Sequence, residues 1–378
     1  MFRPILAVCA ILLTTVSVRA GDPKPLWEIA TSGNKTTAPC WLRFSPDGTA
    51  AIAVFVEAGQ LSSPGFTYTL RVWDVKTRKE RFSAGLGTGN TPTWGDEFVS
   101  FPTDDTILTG GQSLIVRDLT DGNERTTQGT GGLADHAVWF ARDLQETYHL
   151  RREPDREGKP ARLLLRTARD SGNEFSSKRF RGDYLATLET DILPPRPGLR
   201  PQSIALNPGR SRLVAAFRDD STGTPRHSLM HYRINTVDEF NLERVAEATN
   251  PHGGVVNALT FAQDGKTLAT GGEDGSICLW DVKNSESSIW NPRATILAGD
   301  HRVVSVAFSP DWRVLAAITW DTKKPNLYLI DADSGRMVRS VKLDRDLTTV
   351  TWSADGRTLV TGGYSGKLSG WDVASLMK

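Results

Sequence analysis

The feature that most constrains this chain is a segment written twice. Phe261-Ala262-Gln263-Asp264-Gly265-Lys266-Thr267-Leu268-Ala269-Thr270-Gly271-Gly272 returns as Trp352-Ser353-Ala354-Asp355-Gly356-Arg357-Thr358-Leu359-Val360-Thr361-Gly362-Gly363. Downstream, Leu279-Trp280-Asp281-Val282 returns as Gly370-Trp371-Asp372-Val373. An internal repeat fixes the architecture before single residues are read, because one unit cannot bury its apolar face alone. It also separates fold from chemistry: an array offers a surface, and any site has to be argued from its own residues.

Within the unit, apolar residues alternate up to a Phe or Trp, and a polar turn of the Ser-Pro-Asp-Gly type follows. A second stretch, Thr267 to Gly272, leads through a short turn to a third that ends in Trp280-Asp281. A more polar fourth stretch comes after another turn. Period-two alternation bounded by Gly, Pro and Asp predicts antiparallel strands. Pro presets φ for such turns and Gly permits positive φ.

This pattern resembles the WD40 repeat family over nearly all of the chain after residue 20. Phe44-Ser45-Pro46-Asp47-Gly48 with Val72-Trp73-Asp74 marks a first unit, and Phe101-Pro102-Thr103-Asp104 with Val116-Arg117-Asp118 a degenerate second. Ala137-Val138-Trp139-Phe140 with Arg162-Leu163-Leu164-Leu165 marks a third, and Ile204-Ala205-Leu206-Asn207-Pro208 with Leu229-Met230-His231-Tyr232 a fourth. The fifth, from His252 to about Leu297, matches best. Phe308-Ser309-Pro310-Asp311 with Leu329-Ile330-Asp331 is the sixth, and the seventh ends the chain. Seven units average roughly 50 residues, near the ~40–45 of a four-stranded blade plus loop insertions.

The resemblance implies an all-β fold: a seven-bladed β-propeller of four-stranded antiparallel blades. After Trp371-Asp372 only Val373 to Lys378 remain, too little for a fourth strand, whereas Leu26-Trp27-Glu28-Ile29-Ala30 precedes the first unit without a partner. That N-terminal strand is expected to join the last blade, closing the ring and removing a sheet edge. The resemblance also places a hydrogen-bonded tetrad in the fifth unit: His252, Thr270, Asp274 and Trp280. Its role there is structural, tying a loop to the third strand, with each bond adding on the order of 1 kcal/mol. Other units depart. Ser365 stands where Asp274 does, and the sixth keeps the acid as Asp321 but has Ile330 for Trp280. These units are expected to lean on apolar packing instead.

Of the 378 residues 24% are charged, and the net charge is +1, which gives no global pull toward nucleic acid. Arginines are denser from Arg142 to Arg233, but Glu153, Asp155, Asp219 and Asp220 are interleaved, as on a solvated loop surface. Arg3, an apolar run from Ile5 to Val18 and the small residues Val18 and Ala20 fit a signal segment over residues 1–20, cleaved before Gly21. The run is shorter than the ~20 residues that span a bilayer, which favours a cleaved signal over the alternative, an uncleaved anchor. Export to a periplasm or the outside is therefore expected, with residues 21–378 forming one propeller domain and no membrane span left after cleavage. Cys40 and Cys278 then remain, in units too far apart for a disulfide, and read as small buried hydrophobes.

Several stretches mimic chemical motifs. Gly265-Lys266-Thr267 lacks the upstream glycine of a phosphate loop, since Thr260 stands there, and sits in a hairpin turn. His227, His231 and His252 have neither zinc spacing nor cysteine partners. No Cys-x-x-Cys-His is present for haem. Gly363-Tyr364-Ser365-Gly366 lacks the spacing of a nucleophile elbow. Asn34-Lys35-Thr36 is a glycosylation sequon. No catalytic, cofactor or metal residues are assigned.

Aligning the second strands on Leu-Ala-Thr-Gly-Gly puts Val56, Arg218, Glu273, Trp320 and Tyr364 in one row, where strand two enters its loop. Arg218, Glu273, Trp320 and Tyr364 form the candidate partner-binding face, because Trp, Tyr and Arg are the types that dominate binding. The long connection from Glu57 to Phe66, and insertions near Pro154 to Pro160 and Ser221 to Arg226, elaborate the same end. The function expected is a noncatalytic, exported, monomeric propeller that binds a protein. Alternatives are a propeller enzyme of hydrolase or quinoprotein type using the central channel, marked by inward Asp, Glu, His or Asn, and an envelope component resembling the periplasmic TolB type.

Overall fold

In a computed structural model of the chain, the described residues are 23–30, 37–58, 66–89, 99–101, 104–109, 113–129, 135–141, 146–153, 162–170, 184–191, 199–209, 211–220, 224–235, 241–282, 290–320, 326–343, 347–364 and 366–378. The expected signal segment, the sequon, Asp321 and Ser365 lie outside them.

The described residues are all-β apart from a four-residue helix, Val373–Leu376. They form seven four-stranded antiparallel sheets. In chain order the first holds Thr37–Phe44, Ala50–Ala58, Phe66–Asp74 and Glu80–Gly89, and the second Val99–Ser100, Thr106–Thr109, Ser113–Asp118 and Glu124–Gly129. The third holds Asp135–Ala141, Glu146–Glu153, Arg162–Asp170 and Tyr184–Asp191, and the fourth Leu199–Leu206, Arg212–Asp219, Arg226–Asn235 and Asn241–Thr249. The fifth holds Val256–Phe261, Thr267–Gly272, Ser276–Asp281 and Ala294–Leu297, and the sixth Val303–Phe308, Val314–Thr319, Asn326–Asp331 and Met337–Lys342. The seventh takes Leu347–Trp352, Thr358–Gly363 and Lys367–Asp372 from the end of the chain and its fourth strand, Trp27–Ala30, from the beginning.

That joining of the two ends has specific contacts. Trp27 pairs with Gly370 and Ile29 with Leu368. Leu26 N donates to Gly370 O at 2.7 Å, and Lys367 Nζ donates to Glu28 Oε2 at 2.9 Å. A side chain at residue 370 would run into the Trp27 ring, so the glycine before Trp371 makes room for the arriving strand.

The core lies between sheets, and this explains why the second strands are apolar almost throughout. Each interior strand is covered on both faces, so alternation points successive residues at opposite neighbours. In the sixth sheet Leu315 and Ala317 pack toward the fifth, and Ala316 and Ile318 toward the seventh. Comparable clusters join the fourth sheet to the fifth, the seventh to the first and the first to the second. A fully buried Leu or Ile in such a seam contributes about 1.5–3 kcal/mol.

The small residues of the repeat serve this packing. A Cβ on Gly271 would overlap Val303 of the next sheet, and one on Gly362 would come within 2.6 Å of Pro39 Cγ. The serine and aspartate of the polar turn are bonded to each other: Ser45 Oγ to Asp47 Oδ1 at 2.5 Å, Ser309 Oγ to Asp311 Oδ1 at 2.6 Å and Ser353 Oγ to Asp355 Oδ1 at 2.6 Å. Each serine oxygen also accepts a backbone N–H across the hairpin, such as Val314 N at 3.0 Å.

In six sheets the pairing of the first two strands slips by one residue near the same end. In the fifth, sixth and seventh sheets the skipped residues are Asn257, Val304 and Thr348. A bulge of this kind re-aims a side chain.

A hydrogen-bonded frame and the candidate interaction face

The fifth sheet carries the most specific polar network among the described residues. His252 precedes the first strand and is buried. Its Nε2 lies 2.7 Å from Thr270 Oγ1 and its Nδ1 2.6 Å from Ser276 Oγ. Trp280 Nε1 donates to the same Thr270 oxygen at 2.9 Å. Ser276 Oγ donates to Asp274 Oδ1 at 2.7 Å, and Gly253 N donates to Asp274 Oδ2 at 2.7 Å. The four residues picked from the sequence thus converge through a fifth, Ser276, which the sequence pattern did not single out. The His252 ring stands 3.5 Å from the Asp274 carboxylate. Burial alone would pull the imidazole down, but Asp274 and the neighbouring Cys278 together outweigh it and His252 is pushed up to about 9. Burial likewise opposes ionisation of Asp274, yet hydrogen bonds from His252, Gly253 and Ser276 hold its carboxyl well below the usual range. A side chain at residue 272 would overlap His252, which explains the second glycine of the motif.

The expectation that the seventh sheet relies on apolar packing alone needs correcting. Trp371 Nε1 donates to Thr361 Oγ1 at 2.9 Å, so this sheet keeps the threonine–tryptophan half of the network. The bond survives without the histidine because it spans two adjacent strands of one sheet.

Glu273, Trp320 and Tyr364 each follow the second strand of successive sheets. The pairs Val256–Gly272, Val303–Thr319 and Leu347–Gly363 end the ladders just before them, at the same end as His252. Trp320 and Tyr364 are stacked, with ring centroids 6.3 Å apart and planes inclined by 27°. Arg302, which precedes the first strand of the sixth sheet, places its guanidinium carbon 3.6 Å from the centre of the Trp320 ring. Trp320 N donates back to Arg302 O at 2.8 Å. A cavity of about 50 Å³ opens here, lined by Asn257, Arg302, Val304, Trp320, Thr348 and Tyr364. All three bulge residues of these sheets line it. Glu273 is exposed beside it and accepts from Asn257 Nδ2 at 3.1 Å.

Arg218 is not brought into this group. The first two strands of the fourth sheet stay paired past its bulge, so Arg218 lies within a strand, opposite Arg200 and His227. Its Nε donates to Asp220 Oδ1 at 2.6 Å. Val56 departs from the row for the same reason: the ladder of the first sheet runs on to Ala58 and buries it. Glu57 is accordingly a strand residue, and the connection expected from it begins at residue 59, outside the described residues.

A wider cavity of about 690 Å³ is bounded mainly by first strands of the first, fifth, sixth and seventh sheets. Arg43 is the charged side chain in its described lining; the rest are apolar, hydroxyl or amide. His231 is buried and 5.2 Å from the Trp290 ring; burial, with Arg212 and Arg233 nearby, holds it down at about 3, so it is neutral near pH 7. Cys278 is buried and free. Among the described residues no three His, Cys, Asp or Glu side chains gather as a metal site, and no helix is long and apolar enough to cross a membrane.

Residues 245–281 and 336–372 match the family model described as WD domain, G-beta repeat. These two segments hold the first three strands of the fifth and seventh sheets. Over 136 residues, 32% of the chain, the sequence is 33% identical to the small ribosomal subunit protein RACK1z of Oryza sativa subsp. japonica, covering 38% of that protein. The chain spans less than half the length of the curated relatives it matches. Two solved structures share its fold. One is the Cps50 (Swd1) β-propeller domain of Myceliophteria thermophila, with a TM-score of 0.55 and 16% identity over 89% of this chain and 97% of that one. The other is a chain of a mitotic checkpoint complex, with a TM-score of 0.57 and 14% identity over 99% of both.

Proposed function

We propose that this chain is a noncatalytic WD40-repeat propeller that holds a protein partner on the face where Glu273, Trp320 and Tyr364 meet. One observation carries the reading: three successive sheets supply side chains to a single cluster, with Arg302 on Trp320 and Trp320 stacked on Tyr364. Aromatic and arginine side chains on a rigid frame are the usual anchors of protein interfaces; Arg302, Trp320 and Tyr364 are half-buried here, and the bulge residues Asn257, Val304 and Thr348 line the same cavity. The rice relative is named for a place in an assembly, the small ribosomal subunit, which agrees with a scaffold role.

In this reading the seven sheets are blades of one closed, monomeric ring, and Trp27–Ala30 is the clasp. The apolar seams and the fit of Trp27 over Gly370 support it. Residues 1–20 act as an export signal and the working chain starts at Gly21, a reading supported by Arg3 and the apolar run from Ile5.

The test is capture by immobilised protein beginning at Gly21, beside a Trp320→Ala/Tyr364→Ala variant shown to melt like the parent. Protein retained by the parent and lost from the variant supports the reading. Equal retention by both places the interaction elsewhere, and no specific retention overturns it.

A further inference from the structure

Arg302 is unusual among the charged side chains of this face. Among the described residues its guanidinium makes no hydrogen bond or ion pair, and its one close partner is the Trp320 ring. It is half-buried, and burial pulls its pKa below the ordinary guanidinium value, against the opposing pull of Glu273 and Tyr364. The indole N–H of Trp320 is buried with no acceptor. Of the two residues, the Trp320 N–H is the buried donor, a costly condition; the half-buried Arg302 guanidinium keeps solvent access, and its donors meet no acceptor among the described residues.

Three facts narrow what would satisfy them. The need is for an acceptor, since neither an arginine nor an indole N–H can accept. The Trp320 face already carries a cation, so a basic side chain would meet Arg302 instead of an open ring. The cavity of about 50 Å³ takes a few atoms; small-molecule pockets hold roughly 300–1,000 Å³. The occupant is thus a group presented by something larger.

We infer that Arg302, stacked on Trp320, receives the carboxylate of an Asp or Glu side chain on the protein partner through its fork of guanidinium donors, with the stacked rings of Trp320 and Tyr364 holding the guanidinium in place. This rests on the interaction-face reading above and names its chemistry. Glu273, exposed at the rim and hydrogen-bonded to Asn257, is the chain's own carboxylate nearest this role, and it opposes entry of a second one.

Selection from a display library of short random peptides tests it, using the chain from Gly21. The parent should enrich Asp or Glu at one fixed position. Changing that residue to Asn or Gln in a synthetic copy should weaken binding about tenfold or more, and Arg302→Gln should abolish the difference. Glu273→Gln, at an exposed position, keeps the test open if Arg302→Gln does not fold; acidic peptides should bind it about two- to fivefold more tightly. Unchanged or weaker binding to Glu273→Gln, or an acid preference that survives Arg302→Gln, overturns the inference. Enrichment of basic or apolar peptides that need Trp320 and Tyr364 also overturns it, while leaving the face itself standing. If no enriched peptide depends on Trp320 or Tyr364, both fail.

Discussion

The guanidinium carbon of Arg302 lies 3.6 Å from the centre of the Trp320 ring, and the same two residues are joined by a backbone hydrogen bond of 2.8 Å. The side chains should therefore be energetically coupled. A double-mutant cycle with Arg302→Gln and Trp320→Leu, read by denaturant unfolding, should return a coupling of about 0.5–2 kcal/mol. Additive single effects would show that the stacking contributes nothing.

The His252–Asp274 pair predicts a pH window. His252 in the fold sits at about 9, above the ~6.5 of an unfolded histidine. Its contribution is complete below about pH 6.5 and is lost as pH rises through 9. Asp274 is held below its unfolded value of ~3.9. Its contribution is complete above that value and is lost as pH falls below it. The two overlap between roughly pH 4 and 6.5. The gap in Tm between the parent and Asp274→Asn should be widest there and narrow toward pH 10 and toward pH 2. A gap that stays constant across this range would contradict the pairing.

Ser276 stands between the charged partners, 2.6 Å from His252 Nδ1 and 2.7 Å from Asp274 Oδ1. Ser276→Ala should lower stability by about 1–3 kcal/mol, because it strands a buried ring nitrogen. Thermal melts at pH 6 would measure it; a loss under a few tenths would mean that Asp274 takes over the bond directly.

Legibility in the sequence followed spacing. His252, Thr270 and Trp280 could be read because fixed offsets from the repeat place them. Ser276 could not, since a serine after a turn looks like any other polar residue. Asn257, Val304 and Thr348 were hidden by their bulges, which add one residue and break period two just where they face the cavity. Arg302 was missed because it lies just beyond Val303, the end of the paired strand, where alternation no longer assigns a face. Arg218 and Val56 were misplaced because alternation does not say where a ladder stops; in their sheets it continues past the bulge.

The sixth sheet places Trp312 where the matching turns have glycine. Trp312 has φ +51°, against +71°, +66° and +69° at Gly48, Gly265 and Gly356, and it is 45% exposed. Left-handed backbone costs an L-residue roughly 1–2 kcal/mol that glycine avoids. Trp312→Gly should accordingly be more stable than Trp312→Ala by about 1 kcal/mol, although both lose the same ring. The reverse order in chemical denaturation would rule out the positive φ.

Which end of the sheets meets the partner is the central question, and site-specific photocrosslinking answers it. A benzoylphenylalanine would replace Glu273, beside the Arg302–Trp320 pair, or Trp312, at the opposite end of the same sheets. With the partner on the Arg302–Trp320 face, position 273 should give a partner adduct and position 312 none. An adduct from 312 alone would contradict it.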